Sequence, residues 1–220
     1  QTEGWLATSR IDHNRSVLIQ TARHVDQGII DNMKALTTLI TMDKRLVDGV
    51  GQLKSYTDFS ETILSAPQSE AETAISELFR SVVETHPIVT FVSFGTLNGE
   101  YVEYPPFRPS ASYDPRLRGW YRDTLIHGGI RVSEPYETSV THQLVISIDK
   151  VVTRENLVVG VVSLTIGLDT MMRYVNSLEL SDGSTIHIFS PSGKTLLAPG
   201  RPEWLMKPAS ELGTDVFAPL

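Results

Sequence analysis

The sequence predicts an α+β fold, in which a long N-terminal helix precedes an antiparallel sheet of five to six strands with flanking helices. Apolar residues recur at intervals of three, four or seven between residues 14 and 50, which is helical spacing. After Pro87 the period changes to two, and short turns join the alternating segments. Short connections between strands favour antiparallel pairing, so the two halves of the sequence predict different kinds of element.

Composition limits the class of protein and its partners. The chain has 220 residues, of which 40% are hydrophobic and 20% charged, so it can bury one core or one core and a smaller lobe. The net charge is -7, and the 19 Lys and Arg residues are scattered among 26 acids, which argues against a nucleic-acid partner. The absence of cysteine excludes thiolate nucleophiles, disulfides and cysteine-ligated zinc.

We expect the chain to be a piece of a longer protein. The first residue is Gln1, and no window approaches about 20 consecutive apolar residues, so neither a signal peptide nor a membrane span is present in the sequence. We therefore expect any membrane attachment to lie in flanking segments.

The first element is a helix with one apolar stripe. The stripe comprises Leu18, Ala22, Val25, Ile29, Met33, Leu36, Ile40 and Val47. A continuous helix over this range would span roughly 50 Å, longer than a small domain is wide. We therefore expect part of it to project or to pair with a second copy in a homodimer. The alternative is a helix packed wholly on its own domain.

A second helix and a hairpin follow. Ser69 and Glu72 form a capping-box pattern, and Pro87 ends the helix. Residues 88–96 and 100–104 alternate as strands around Asn98-Gly99, a dipeptide that suits a tight hairpin turn.

The remaining elements are predicted from period and turn residues. They are a short helix over 120–126 that stops at Gly128-Gly129, strands over 131–138, 143–152 and 157–168, a helix capped by Asp169, and a second hairpin over 185–190 and 194–198.

Catalytic motifs are missing from the sequence. There is no GxSxG elbow, no phosphate-binding loop and no GxGxxG, and no two histidines are spaced i,i+4. We expect no enzymatic activity, no cofactor and no metal.

One segment combines charge and aromatic rings. Tyr113 to Tyr121 holds two arginines, Arg116 and Arg118, beside Trp120 and Tyr121. Arginine presents paired donors that match the two oxygens of a carboxylate, so the segment suits an acidic ligand. The alternative is that the aromatic residues are core anchors and the arginines form surface ion pairs.

The spacing of five residues resembles the signature of double Cache sensor domains. These residues are Tyr113, Arg118, Trp120, Tyr121 and Tyr136. The family occurs outside the membrane in chemoreceptors, sensor histidine kinases and cyclic-dinucleotide synthases, and its sheet is PAS-like. The resemblance implies an extracytoplasmic (periplasmic) sensor of an inner-membrane receptor, with a pocket in the membrane-distal lobe. It further implies that Arg118 and Trp120 hold a ligand carboxylate while the tyrosines line the pocket.

The resemblance also implies a division of the chain. Residues 1–58 would be a signalling and dimerisation helix with its connection, 59–170 the distal lobe with the pocket, and 171–220 the start of a proximal lobe. An ideal continuous helix would separate residues 118 and 120 by about 200°, so we expect Arg118 in the loop and the helix to begin near Gly119.

Two departures bear on the ligand. In amino-acid-binding members, acids that hold the ammonium stand where this chain has Thr138 and Thr165. A threonine cannot neutralise a buried cation. The sequence therefore favours a short organic acid, with Thr138 and Thr165 as neutral polar contacts. The alternatives are an amino-acid or amine sensor that uses Glu134, and a ligand-free structural or dimerisation domain.

Overall fold

The computed structural model describes residues 30–57, 69–106, 112–138, 141–177, 188–190, 192–198 and 200–211. The chain divides into two compact units, one formed by Lys34–Tyr174 and the other by Gln1–Met33 with Val175–Leu220. The division predicted at residues 58 and 170 stays a prediction. None of the described helices is long and apolar enough to cross a membrane.

The N-terminal helical region is interrupted. Helix α1 covers Asn32–Thr41 and helix α2 covers Lys44–Asp48. Between them Asp43 is extended, with ψ of 122°, and its carboxylate accepts a hydrogen bond from the Arg45 amide. The prediction of one uninterrupted helix as far as Val50 is therefore wrong, because this aspartate caps a new helix instead of continuing the old one. Its earlier part, residues 14–29, lies outside the described residues.

The apolar stripe is partly buried within the chain itself. Met33 and Ile40 are buried, whereas Leu39 and Met42 are exposed on another face. This part of the helical region therefore buries apolar residues against its own chain, and the homodimer stays a prediction.

Helix α3, Glu70–Thr85, has the predicted N-terminus. The Ser69 hydroxyl accepts a hydrogen bond from the Glu72 backbone amide, and the side chains of Ile75 and Phe79 are buried. The helix packs against the first two strands.

One antiparallel sheet forms the core of the larger unit, which confirms the predicted fold class. Its strands are β1 Val89–Thr96, β2 Tyr101–Tyr104, β3 Ile130–Val132, β4 Tyr136–Glu137, β5 Leu144–Arg154 and β6 Leu157–Gly167. Their order is β2-β1-β6-β5-β3, and β4 also pairs with β5. The predicted single strand over 131–138 is two short strands, because Pro135 lacks a donor and the Ser133 hydroxyl, not a backbone group, accepts the Ser147 amide.

A helix beside the sheet begins where the sequence predicted. Helix α4 covers Gly119–His127, follows a short 3-10 turn over Pro115–Leu117, and ends at Gly128 with φ of +74°. Gly95 of β1 leaves room for this segment, since a Cβ there would lie 2.8 Å from the Pro115 Cβ. Helix α5 covers Leu168–Asn176. Asp169 lies in its first turn, so the prediction that it caps the helix is wrong.

The smaller unit contains a hairpin. Strands β7, Ile188–Phe189, and β8, Thr195–Leu197, pair antiparallel, and Gly193 in the turn has φ of +84°. Two 3-10 turns follow over Pro202–Trp204 and Ala209–Glu211.

Candidate functional site

A cavity of about 440 Å³ lies in the larger unit. Its volume falls within the range of small-molecule sites, roughly 300 to 1,000 Å³. The lining residues come from β1, β2 and β6, the loop before α4, the start of α4, and the segment from β3 to Thr141. They are Phe91, Ser93, Tyr101, Glu103, Tyr113, Arg118, Gly119, Trp120, Asp123, Arg131, Ser133, Glu134, Pro135, Tyr136, Glu137, Thr138, Thr141 and Ser163.

A row of polar residues crosses the sheet at this site. In strand register, Glu103 of β2 pairs with Ser93 of β1, which pairs with Ser163 of β6. Ser163 pairs with Asp149 of β5, which pairs with Arg131 of β3. Neighbouring strands thus place an acid, two hydroxyls, a second acid and a guanidinium side by side, because paired residues point to the same face.

Asp149 is the buried acid of this row. The Ser163 hydroxyl donates to Oδ1 at 2.6 Å and the Ser147 hydroxyl to Oδ2 at 2.9 Å. Arg131 donates to Oδ2 at 3.4 Å and also pairs with Asp123 at 3.2 Å. Burial raises the pKa of Asp149 to about 7 despite these donors. The Asp149 carboxyl group is thus bound by other side chains of the protein, and Asp149 is not among the residues that line the cavity.

Arg118 has no such partner. It is extended, with ψ of 147°, and directly precedes α4, as predicted from the spacing of residues 118 and 120. Its guanidinium carbon lies 4.5 Å from the Tyr113 ring centre, and its buried Nε makes no hydrogen bond. No ion pair joins it to any acid in the part of the chain that the structure describes. The cavity therefore presents a guanidinium whose donors are available to a ligand.

Aromatic rings form the wall beside Arg118. The rings of Tyr101 and Tyr113 are 4.6 Å apart, and those of Tyr101 and Trp120 are 6.5 Å apart. Tyr56 joins the two tyrosines in one buried cluster against which Trp120 packs. Large rings with polar edges suit a pocket that holds a small amphipathic molecule.

Glu103 lies at the end of the aromatic wall. Its carboxylate accepts a hydrogen bond from the Tyr101 hydroxyl. Burial raises the pKa of Glu103 to about 8, and the Tyr101 hydrogen bond offsets only part of that rise. The same burial, with the charge of Glu103, raises the pKa of Tyr101.

Five of the residues predicted for the site share the cavity wall, namely Tyr113, Arg118, Trp120, Tyr136 and Thr138. Two others do not line the cavity. Tyr121 is buried, and its ring packs near Gly95 on the sheet. Thr165 is fully buried, and its hydroxyl makes no hydrogen bond. The ligand contacts of all seven residues stay predictions.

No sequence motif marked Glu103, Asp123 and Arg131, which line the cavity, or the buried Asp149 that pairs with Arg131. Strand alternation could have indicated Glu103, because it is two residues from Tyr101 and therefore lies on the same face of the strand. Strand order was not available, and only strand order brings Glu103 and Arg131 to one cavity.

The cavity wall is rich in acids. Four carboxylates line it, those of Glu103, Asp123, Glu134 and Glu137. The sequence favoured a ligand without an ammonium because neutral threonines stand at positions 138 and 165. Other acidic side chains nevertheless line the cavity, where they can contact an ammonium. Glu134 in the wall was the feature expected of an amino-acid or amine sensor.

Among the residues that the structure describes, no three His, Asp or Glu side chains are grouped to hold a metal ion. No histidine is among the residues that line the cavity.

Comparison with known proteins places this geometry in context. No family model matches the chain. The chain is 34% identical over 106 residues to the methyl-accepting chemotaxis protein PscA of Pseudomonas syringae pv. tomato, which covers 48% of the chain and 17% of the relative. It is 30% identical over 122 residues to the chemotaxis protein PctB of Pseudomonas aeruginosa, which covers 56% of the chain and 19% of the relative.

Solved structures agree with these relatives. The ligand-binding domain of PctB in complex with L-Arg matches with a TM-score of 0.71 at 24% identity, over 91% of this chain and 75% of that one. The ligand-binding domain of the Pseudomonas fluorescens chemoreceptor CtaA in complex with L-leucine matches with a TM-score of 0.71 at 18% identity. The match covers 94% of this chain and 78% of that one. The chain has the Cache fold of chemoreceptor ligand-binding domains. It spans about a fifth of the length of the two curated relatives.

Proposed function

We propose that the chain is the extracytoplasmic sensor domain of a bacterial chemoreceptor, and that its cavity binds an amino acid or a similar small carboxylate that carries an ammonium. The observation that carries the proposal is the side chain of Arg118, which lines the cavity with a buried Nε that has no hydrogen-bond partner. A buried donor without a partner costs free energy, and a ligand carboxylate would recover it.

The geometry around Arg118 suits one carboxylate. The Tyr113 ring lies under the guanidinium and restricts its position, so the donors are preorganised before a ligand binds. Trp120, two residues further on, lines the same cavity and offers an indole surface beside the acid group. Arg118 would bind the carboxylate, and the aromatic wall would contact the rest of the molecule.

The acids of the wall favour an amino acid over an organic acid. The described wall holds four acidic side chains and two arginines, so a ligand that carried only negative charge would meet an excess of acidic groups. A ligand ammonium offsets that excess. The solved domains of similar fold are complexes with L-Arg, L-leucine and, for PctC, GABA, all of which hold both groups.

We propose binding without chemical conversion of the ligand. The wall described above contains hydroxyls and carboxylates but no histidine base beside a serine. The signal would pass to an output module outside this chain, for which the similarity to methyl-accepting chemotaxis proteins favours a chemotaxis module over a kinase or a cyclase. We also propose a homodimer formed through the N-terminal helical region, where Leu39 and Met42 are exposed.

A thermal-shift screen of the 220-residue chain tests the proposed ligand class. The panel holds the common L-amino acids, GABA and the matching acids without the amino group. A ligand at 100 times its dissociation constant adds about 2.7 kcal/mol of stability, which is readily measured. We expect stabilisation by at least one compound that carries both groups. Stabilisation by the des-amino acids alone would restore the organic-acid interpretation, and no stabilisation by any carboxylate would contradict the proposal.

A further inference from the structure

We infer that Glu103 is the residue that selects a cationic group on the ligand, so that the site takes a molecule with a carboxylate at Arg118 and an ammonium at Glu103. The inference rests on the proposed function of the cavity and names the residue that would discriminate between ligand classes.

Glu103 is an acid of the wall that forms no ion pair within the described part of the chain. Asp123 forms an ion pair with Arg131 at 3.2 Å, and Glu137 shares a hydrogen bond with the exposed His142 ring. The carboxylate of Glu103 accepts only the neutral Tyr101 hydroxyl, and no Lys, Arg or His of the described residues forms an ion pair with it. A half-buried carboxylate with one neutral donor leaves most of its acceptor capacity for a ligand.

The two charges lie on one continuous surface. Tyr113 contacts the guanidinium of Arg118 with its ring, and the Tyr101 ring packs 4.6 Å away. Tyr101 in turn donates to Glu103. Two tyrosine rings, tilted by 48° to each other, therefore lie between the arginine and the glutamate. A ligand lying along these rings meets a cation at one end and an anion at the other.

Two other cations lie near β2, Lys54 and Arg80, and neither forms an ion pair with Glu103. Lys54 Nζ lies 5.1 Å from the Tyr56 ring centre. Arg80 of α3 stacks on the Tyr104 ring at 5.4 Å, and Tyr104 alternates to the opposite face from Glu103. On the cavity face, Glu103 accepts a hydrogen bond from the Tyr101 hydroxyl, and the charge of Glu103 contributes to the raised pKa of Tyr113, whose ring contacts Arg118. Burial raises the pKa of Glu103 to about 8, as expected of an acid that lacks a cation. A bound ammonium would lower this pKa, so binding near pH 7 would release a proton.

Position 134 supplies the competing assignment. Glu134 also lines the cavity and is the acid that the sequence suggested for an ammonium. Glu103→Gln and Glu134→Gln each remove one charge and keep nearly the same shape. The amide oxygen introduced by Glu103→Gln can still accept the Tyr101 hydroxyl, so the substitution tests the charge rather than the hydrogen bond.

Isothermal titration calorimetry at pH 8 tests the inference. GABA against butanoate is the main pair of probes, because GABA holds its ammonium and carboxylate apart, and L-leucine against 4-methylpentanoate is the comparison in which the two groups are adjacent. For the wild type we expect tighter binding of an amino compound than of its des-amino analogue. In Glu103→Gln the affinity for that amino compound should fall by about 30-fold or more, which is the usual effect of leaving a buried charge unpaired. Affinity for the des-amino analogue should hold or improve, which also shows that the variant is folded. Glu134→Gln should keep the wild-type preference.

A second readout is the proton balance. Calorimetry near pH 7 in two buffers of different ionisation enthalpy should show proton release on binding of the amino compound to the wild type, and less release in Glu103→Gln. Asp149 is present in both proteins, so its titration cancels in the comparison.

The outcomes separate the two claims. If none of the four compounds binds the wild type, the proposed amino-acid function fails and the inference falls with it. If the amino compound binds and Glu103→Gln keeps the preference for it, only the inference is overturned. Loss of the preference in Glu134→Gln alone would move the ammonium contact to position 134.

Discussion

Arg131 and Asp149 form an ion pair at the edge of the cavity, with Arg131 Nη1 3.4 Å from Asp149 Oδ2 and the aspartate side chain fully buried. The pair joins strands β3 and β5 directly across the ladder. Arg131 also lines the cavity, so the pair links the wall of the site to the core of the sheet.

The raised pKa of Asp149 predicts how stability depends on pH. Its pKa is about 7 in the folded chain and about 4 in an unfolded one. Between these values the native state binds more protons, so the free energy of unfolding falls as the pH rises from 4 to 7. One proton corresponds to about 1.4 kcal/mol per pH unit at most. Glu103, with a pKa of about 8, contributes with the same sign up to pH 8.

Asp149→Asn should flatten this dependence. We expect urea denaturation between pH 5 and 7 to show that the free energy of unfolding falls less steeply with pH in the variant. The difference in slope should be at most about 1.4 kcal/mol per pH unit, the value for one proton. The asparagine amide oxygen can still accept from Ser147 or Ser163, and Arg131 keeps Asp123. Equal pH slopes in the variant and the wild type would show that Asp149 does not titrate in this range.

Gly95→Ala tests how the site segment is seated on the sheet. A Cβ at this position would lie 2.8 Å from the Pro115 Cβ and 3.2 Å from the Tyr121 ring, so the segment that carries Arg118 must shift. We expect a loss of roughly 1 to 3 kcal/mol in the free energy of unfolding and weaker ligand binding. Gly129→Ala is the control, because its nearest neighbour would be 3.8 Å away. A Gly95→Ala chain as stable as that control would mean that the contact is not tight.

Leu39→Cys tests the proposed homodimer. Leu39 is exposed on α1, and these 220 residues contain no cysteine, so a disulfide between two residues of this domain must join two copies. We expect oxidation of the membrane-tethered receptor that contains this chain to yield a linked dimer, since tethering raises the effective concentration. Glu84→Cys, exposed at the end of α3, is the control. Linking at neither Leu39→Cys nor Met42→Cys would argue against the dimer.

The sequence predicted the elements well where local signals were strong. The Ser69 cap, the first hairpin and the Arg118–Gly119 boundary each depend on residues within a few positions, and the structure contains all three. The break at Asp43 was missed because apolar periodicity continues across it, and only the cap residue marks it.

The candidate site was predictable only in part, for a physical reason. The spacing of Tyr113, Arg118 and Trp120 lies within one short segment. The polar row from Glu103 to Arg131 depends on strand order, which brings together residues 28 positions apart through β1, β6 and β5. No local sequence pattern encodes that strand order. The charged residues that bear on the choice of ligand could therefore be identified only from the structure.

The central claim, that Arg118 anchors a ligand carboxylate, is tested most directly by calorimetry on Arg118→Ala with the tightest-binding carboxylate among L-leucine, GABA and their des-amino analogues. Arg122→Ala is the matched control, because Arg122 is exposed in the first turns of α4, the helix that Arg118 precedes, and does not line the cavity. We predict that Arg118→Ala lowers the affinity about 30-fold or more, the effect of leaving a buried carboxylate without its charged partner, while Arg122→Ala stays within about fivefold of the wild type. Wild-type affinity in a folded Arg118→Ala chain would contradict the account.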